Sequence, residues 1–572
     1  MIRLSLTLAR IVLLLLVALG MPGWSSSLGK AQGTAEGRIA FTAWHRGNWD
    51  IYTIRTDGSD LRRVTIDPSE ERDPAWSPDG TALAYTARRG RQWDIYVRDL
   101  STGQERQLTA DRPYDGLPAW SPDGQWIAYE SMAAGDLDVW LIPSEGGEAV
   151  NLTQDSPAGD FGPAWAPVGP YRGWLAFTSW RFGDKDVFLI NPTSGELRQI
   201  THDPSDEELA GWSADGRALY LFRDEDERRE VWSLDVMNLT AGPVRRTWLT
   251  RVTAVTATDE GLAVIYRRAD GEGLLRFSDD GDVLPTYLVW RAHLSGRIAW
   301  HPSPLASGEL VLAGATALDD APLPNDGQRV ARFVELPGVE ASGPASLSSE
   351  VADSFLALRR RVREETGYDF LSRLSEAWRP PFFESDASDY LSWHKTGRAV
   401  DLLLDYFDES GQPLLERVRE DMGGETFWRL YLRCRDQDGS CGRPLTDRTW
   451  DLSYRARAYE GWGRGGLPGV LLGRYFVDFT ALAREYGWRR ISSYEEPDFD
   501  WRTNLKALEY WHYERRDGQQ WYLLMLQVLD RSQAEAYFTW EEAMRHGVDE
   551  FYAVLKGLPL PASMGRWRAL RP

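Results

Sequence analysis

Two histidines and an aspartate, spread over two separated stretches, are the residues of this chain best suited to chemistry. The first stretch is Ser392-Trp393-His394-Lys395-Thr396-Gly397-Arg398-Ala399-Val400-Asp401, and the second is Glu509-Tyr510-Trp511-His512. His394, Asp401 and His512 offer two imidazoles and a carboxylate, a donor set that favours zinc over harder cations and leaves the fourth tetrahedral position open. Water bound there is acidified by the ion, and Glu509 is the expected general base. Asp401 lies in the apolar run Ala399-Val400-Asp401-Leu402-Leu403-Leu404, which reads as a strand buried on both faces. A carboxylate inside such a run needs a cation or a proton, and a metal is one such cation. Gly397 allows a tight turn beside His394.

Taken singly, His-x-x-Gly is a weak pattern; the combined set of residue types is what carries the reading. That set, Ser-x-His-x-x-Gly-x-Ala-x-Asp followed by Glu-x-Trp-His, resembles the VanY-type D-alanyl-D-alanine carboxypeptidases and the related dipeptidases and phage endopeptidases, over roughly residues 345 to 572. The resemblance implies an α+β domain with one zinc ion per chain held by His394, Asp401 and His512, with Glu509 moving protons and Ser392 seating substrate. It also implies that Arg379, in Glu376-Ala377-Trp378-Arg379-Pro380, faces the developing oxyanion. A tetrahedral intermediate at a peptide carbonyl needs a Lewis acid, a base and such a cation. The stretch between Asp401 and Glu509 is longer than is usual for those enzymes and reads as an insertion over the cleft. Within it, Trp428, Trp450 and Trp462 are candidates to grip a glycan or a peptide stem, and core packing explains them equally well.

Elements that would position these residues follow from periodicity. Val351, Phe355, Leu358 and Val362 form one apolar helix face that stops at Gly367, with Arg359, Arg360 and Arg363 on the solvated side. A second helix is expected over 479–486, ending at Gly487, with the Trp511-His512 strand beyond it. The zinc cleft is expected at an open sheet edge, covered by an irregular, Trp- and Gly-rich segment over 402–475. Cys434 and Cys441 are the two cysteines of the chain, and outside the cytoplasm they can close a small disulfide loop.

Upstream, residues 37–316 contain a repeat. Ala75-Trp76-Ser77-Pro78-Asp79-Gly80 recurs at Trp120, Trp165 and Trp212, so the tryptophans step by 44, 45 and 47 residues. Each is followed by an apolar strand, then by one opening with an acidic residue (Asp50, Asp94, Asp138, Asp186), then by a short segment ending at Thr65, Thr109, Thr153 or Thr201. A period in the mid-forties carrying four strands indicates propeller blades. The first unit lacks its opening strand, and Ala299-Trp300-His301-Pro302 lies two periods after Trp212. Six blades are therefore expected, with five or seven as alternatives, the last strand completing the first blade. The array resembles the propeller of periplasmic TolB, a likeness that speaks to fold more than to function. Asp224–Glu227 reads as a solvated turn, because its spacing fits no calcium loop, and His45, His202 and His301 are assigned no chemistry.

The whole is thus a multidomain chain: a signal segment over 1–31, the propeller over 37–316, a linker over 317–345, and the α+β region over 346–572. The apolar run Ile11–Leu19 behind Arg3 and Arg10 is too short to span a bilayer and reads as a secretory signal, with an uncleaved anchor as the alternative. A net charge of −21 argues against nucleic acid and anionic membrane surfaces as partners. The expectation is a secreted or periplasmic zinc peptidase acting on peptidoglycan stems near D-alanine, its propeller engaging an envelope protein. The alternative is a non-catalytic envelope scaffold with a degenerate peptidase fold, against which the intact Glu509 counts. Carboxypeptidase, dipeptidase and endopeptidase action are left open.

Overall fold

Each Trp-Ser-Pro-Asp-Gly motif builds the corner between two strands. In the first of them Asp79 accepts hydrogen bonds from Ser77 Oγ (2.6 Å) and Thr81 N (3.0 Å), and Gly80 takes a left-handed φ of 70°. The computed structural model describes residues 37–302, 333–382, 390–452, 467–469 and 474–561, apart from positions 46–47, 111–112, 157, 226–227, 248, 250, 260, 269–270, 279–285, 423–424, 497–498, 530 and 560. The expected signal segment, Trp462 and the first part of the linker lie outside these residues, as do the side chains of Asp224–Glu227.

The repeats form six antiparallel sheets of four strands. Five are consecutive in sequence, beginning with Glu70–Trp76, Asp115–Trp120, Asp160–Trp165, Glu207–Trp212 and Val252–Thr258. In the sixth, Leu294–His301 pairs with Arg38–His45, register Arg38 to His301, so the last strand completes the first blade as expected. The opening strands of successive blades touch in a closed ring, Leu294–His301 meeting both Val252–Thr258 and Glu70–Trp76. The recurring tryptophan links blades: the indole N–H of Trp76, Trp165 and Trp212 donates to the carbonyl of Ala299, Ala119 and Ala164 in the preceding blade. The recurring Asp and Thr also pair. Thr153 Oγ1 donates to Asp138 (3.0 Å) while accepting from Val139 N (3.0 Å), and Thr201 does the same for Asp186 and Val187. Every opening strand is bulged, and Asp73, Leu117, Gly162 and Gly296 at these bulges adopt positive φ.

Beyond residue 332 the expected linker is partly folded. Phe333–Glu335 pairs with Ser346–Ser348, and Leu336 and Val339 are buried, because their side chains complete the adjoining core. The first helix runs Ala352–Thr366 with Gly367 as its left-handed cap (φ 77°), burying Phe355, Leu358 and Val362. The second spans Phe479–Glu485, its first turn capped by Asp478. One sheet has the order Leu374–Glu376, Ala399–Leu402, His512–Glu514, Arg489–Arg490; a second has Leu415–Met422, Glu425–Arg433, Tyr475–Asp478, Arg443–Pro444.

Two expectations are corrected here and one choice is decided. The 402–475 segment is not irregular where it is described: Leu415–Met422 and Glu425–Arg433 form a long hairpin in continuous register. Of the two readings of Trp428 and Trp450, core packing holds: both are buried in the core, Trp428 donating to Ser493 Oγ at 3.0 Å. The Asp401 strand ends at Leu402, and Leu404 is exposed because the chain has left the sheet.

Residues 37–572 make one compact unit. The core of the carboxy-terminal region runs without a break into Trp93, Tyr114, Phe161 and Trp180 of the propeller. Ion pairs cross the same boundary: Arg443 to Asp73 (3.1 Å), Arg448 to Asp206 (2.7 Å from Nε), and Arg484 to Glu272 (2.8 Å). Glu420, fully buried, meets four guanidiniums, those of Arg251 and Arg267 from the propeller and Arg429 and Arg490 from its own region.

Candidate metal centre

His394 sits in the short 3-10 turn Trp393–Thr396. Ser392 Oγ accepts from His394 N (3.3 Å) to start the turn, and Gly397 (φ 66°) ends it. Only glycine fits there, since a Cβ would lie 2.6 Å from the Phe333 ring and 2.8 Å from Ser348 N. The next residues form the Ala399–Leu402 strand, whose Asp401 is in register with His512 on the neighbouring strand. Turn and strand pairing thus bring together residues more than a hundred positions apart: one donor atom each from His394, Asp401 and His512 lie within 4.8 Å of one another. The cluster spans the two central strands of its sheet rather than an open edge, because the sheet extends past His512 to Arg489–Arg490.

The imidazole of His394 is oriented by the main chain. Nδ1 lies 2.7 Å from the Ala377 carbonyl oxygen, which can only accept, so Nδ1 donates to it and Nε2 faces the cluster. Nε2 is buried without a hydrogen-bond partner, although Asp401 Oδ1 is 3.2 Å away. A proton or a metal ion on Nε2 makes that contact favourable. On the other side Asp401 Oδ1 accepts from His512 Nδ1 at 2.8 Å. Burial opposes ionisation of Asp401, but the two imidazoles overcome it and hold the carboxyl well below its usual range. Burial likewise opposes charge on His512, yet hydrogen bonds to Asp401 and Glu514 raise it to about 10. A metal ion bound here would compete with protons for the same donor atoms.

Glu509 lies in the turn entering the His512 strand: its carbonyl accepts from His512 N (3.1 Å), and its backbone takes the left-handed φ of 53°. A residue with a Cβ pays for that conformation, by about 1 kcal/mol. Its charge reaches Tyr552. Arg379 is beside the cluster through its backbone N–H, which donates to the His394 carbonyl (3.3 Å). Its guanidinium does not point free at the cleft as expected; Nε and Nη2 both bind the Glu376 carboxylate (2.6 and 2.5 Å). Ser392, expected to seat substrate, uses its hydroxyl to cap the His394 turn. Cys434 and Cys441 are joined as expected, with Cα atoms 5.9 Å apart.

Two participants escaped the sequence reading. Glu514 Oε2 stands 3.6 Å from His512 Nε2, and Glu376 clamps Arg379. Both signals were present: residues i and i+2 of a strand share a face, which pairs 512 with 514, and an acid three residues before an arginine is a common local pair.

The family described as the TolB beta propeller domain matches residues 73–283. No curated protein matches the chain. Among solved structures, TolB from Acinetobacter baumannii is similar at 22% identity and a TM-score of 0.42, covering 47% of this chain and 67% of that one. A putative TolB from Agrobacterium tumefaciens is similar at 18% identity and a TM-score of 0.37, covering 48% and 94%. Among the described residues no helix is long and apolar enough to cross a membrane. Its six four-stranded sheets make the amino-terminal part of the chain a β-propeller, similar over residues 73–283 to the TolB propeller family.

Proposed function

We propose that the carboxy-terminal region is a zinc-dependent peptidase that hydrolyses peptidoglycan stem peptides near D-alanine outside the cytoplasm, with the propeller as its positioning and partner-binding module. The observation that carries this reading is the grouping of His394, Asp401 and His512 within 4.8 Å, with the buried Nε2 of His394 lacking a hydrogen bond of its own. Two imidazoles and a carboxylate suit zinc, and His394, Asp401 and His512 would hold it. When bound, the ion supplies Lewis acidity to a carbonyl and lowers the pKa of water.

The chain's own residues account for the remaining work. Ala377 fixes the tautomer of His394, and Ser392 with Gly397 fixes its turn. Glu509, outside the ligand set, takes a proton from attacking water and returns it to the leaving amine. Arg379, steadied by Glu376, would face the carbonyl oxygen and stabilise its developing charge.

The test is metal content of the full-length protein together with hydrolysis of a stem pentapeptide ending in D-alanyl-D-alanine. About one zinc per chain is expected, lost in His512→Ala and retained in Glu509→Gln, which should lose roughly 100-fold or more in rate. Release of D-alanine from the pentapeptide reads carboxypeptidase action, and cleavage of free D-alanyl-D-alanine reads dipeptidase action. Folded protein that takes up no zinc would refute the reading and favour a non-catalytic envelope scaffold.

A further inference from the structure

A cavity of 450 Å³ lies where the bulged opening strands of the propeller meet the carboxy-terminal region, and Asp73, Leu117, Gly162 and Gly296 of those bulges line it. Its charge is opposite in balance to that of the chain. Twelve arginines and nine acidic residues line it, whereas the whole protein carries 65 Lys and Arg against 86 Asp and Glu. One of the nine, Glu485, has its carboxyl pushed up by burial and by neighbouring Glu70.

Three of these arginines share one arrangement. Arg443 uses Nη1 on Asp73, Arg484 uses Nη1 on Glu272, and Arg490 uses Nη2 on Glu420. Each is held by one side of its fork to a buried carboxylate. Each also has donors left over: Nε and Nη2 of Arg443, Nη2 of Arg484 and Nη1 of Arg490 are buried and make no hydrogen bond. A buried guanidinium N–H without an acceptor costs more than an ordinary unpaired donor, because the charge is desolvated with it. Planar forks anchored on one side and open on the other are suited to oxyanions, which they bind bidentately.

We propose that this cavity is a binding site for a compact, multiply charged oxyanion bearing phosphate or carboxylate groups, held jointly by propeller and carboxy-terminal region. Arg443, Arg484 and Arg490 come from the carboxy-terminal region, and their anchoring carboxylates Asp73 and Glu272 come from the propeller. Occupancy therefore ties the two together, and a ligand that binds only the folded state raises its stability. This site is separate from the His394–Asp401–His512 cluster and does not depend on the peptidase reading.

The test is calorimetric titration of the full-length protein with pyrophosphate and with citrate, with thermal melting alongside. Saturable binding and a raised melting temperature are expected with at least one of them; tighter pyrophosphate points to a phosphorylated ligand, tighter citrate to a polycarboxylate. Arg443→Lys, Arg484→Lys and Arg490→Lys keep the charge on each anchoring carboxylate and remove the spare donors, so each should weaken binding about tenfold. Backbone hydrogen exchange should slow over 443–447 and 484–490 on adding the anion, a readout that needs no variant. Folded protein that binds neither anion would overturn the proposal. So would binding unchanged in all three variants, or protection confined to other segments.

Discussion

The propeller and the carboxy-terminal region solve the same problem, keeping buried polar groups satisfied, in opposite ways. In the blades the solution is local and repeated: an acid opening one strand meets a threonine about fifteen residues on, and each tryptophan reaches the adjoining blade. In the carboxy-terminal region it is singular and distant, as with Glu420, which gathers arginines from positions 251, 267, 429 and 490. A repeated device spreads risk over its several copies. A singular one concentrates it, so a change at one atom should be felt across the whole molecule.

Substituting Glu420 by alanine should therefore have the largest effect. Four guanidiniums would be left without their shared carboxylate, a loss of about 4 kcal/mol in denaturant unfolding, with the propeller and the remainder melting separately. A cost below about 1 kcal/mol would show that water reaches those arginines and that the contrast is overstated. Acid should act next, through Glu272. Burial opposes its ionisation, but Arg484 and Arg267 hold its carboxyl at about 2 against an ordinary 4.5. Folding thus favours the charged form: the stabilisation is complete above pH 4.5, declines as pH falls towards 2, and amounts to about 3 kcal/mol. Stability measured from pH 6 to 2 should show this decline, and Glu272→Gln should flatten it.

Reducing the Cys434–Cys441 bridge probes the boundary from another side. Gly439 within that loop lies so close to Pro113 and Tyr114 that a Cβ would sit 2.9 Å from the Pro113 Cα. Loss of the cross-link should cost about 2 kcal/mol, read as a lower melting temperature of Cys434→Ser/Cys441→Ser. The smallest effect belongs to the repeats. Thr153→Val and Thr201→Val should each cost about 1 kcal/mol, and near equality of the two would sharpen the comparison, whereas a large difference would mean that the blades are not equivalent carriers of stability.

The same contrast decides what was readable from sequence. Blade number, ring closure and turn chemistry were legible because their causes lie within a few residues, as in Ser77, Asp79 and Gly80. His394, Asp401 and His512 were legible from residue type, and their convergence required only one strand pairing. The 415–433 hairpin was hidden because the usual alternation of apolar and polar residues is interrupted by Arg417 and Glu420, charged yet buried through ion pairs. The fit between the two regions was hidden for the same reason: nothing near Arg443 or Arg484 in sequence names Asp73 or Glu272. The clamp of Glu376 on Arg379 was missed because only the arginine entered the reading of the site.

The pairing of Leu294–His301 with Arg38–Ala43 also sets a clock. The two halves of that blade leave the ribosome about 250 residues apart, which at roughly 10 residues per second is near half a minute. Until then the inner edge of the first blade has no neighbour, and an unpaired strand edge is where chains join each other wrongly. A chain stalled or cut before residue 294 would carry five complete blades and one sticky half, so premature truncation should be punished by aggregation rather than by partial function.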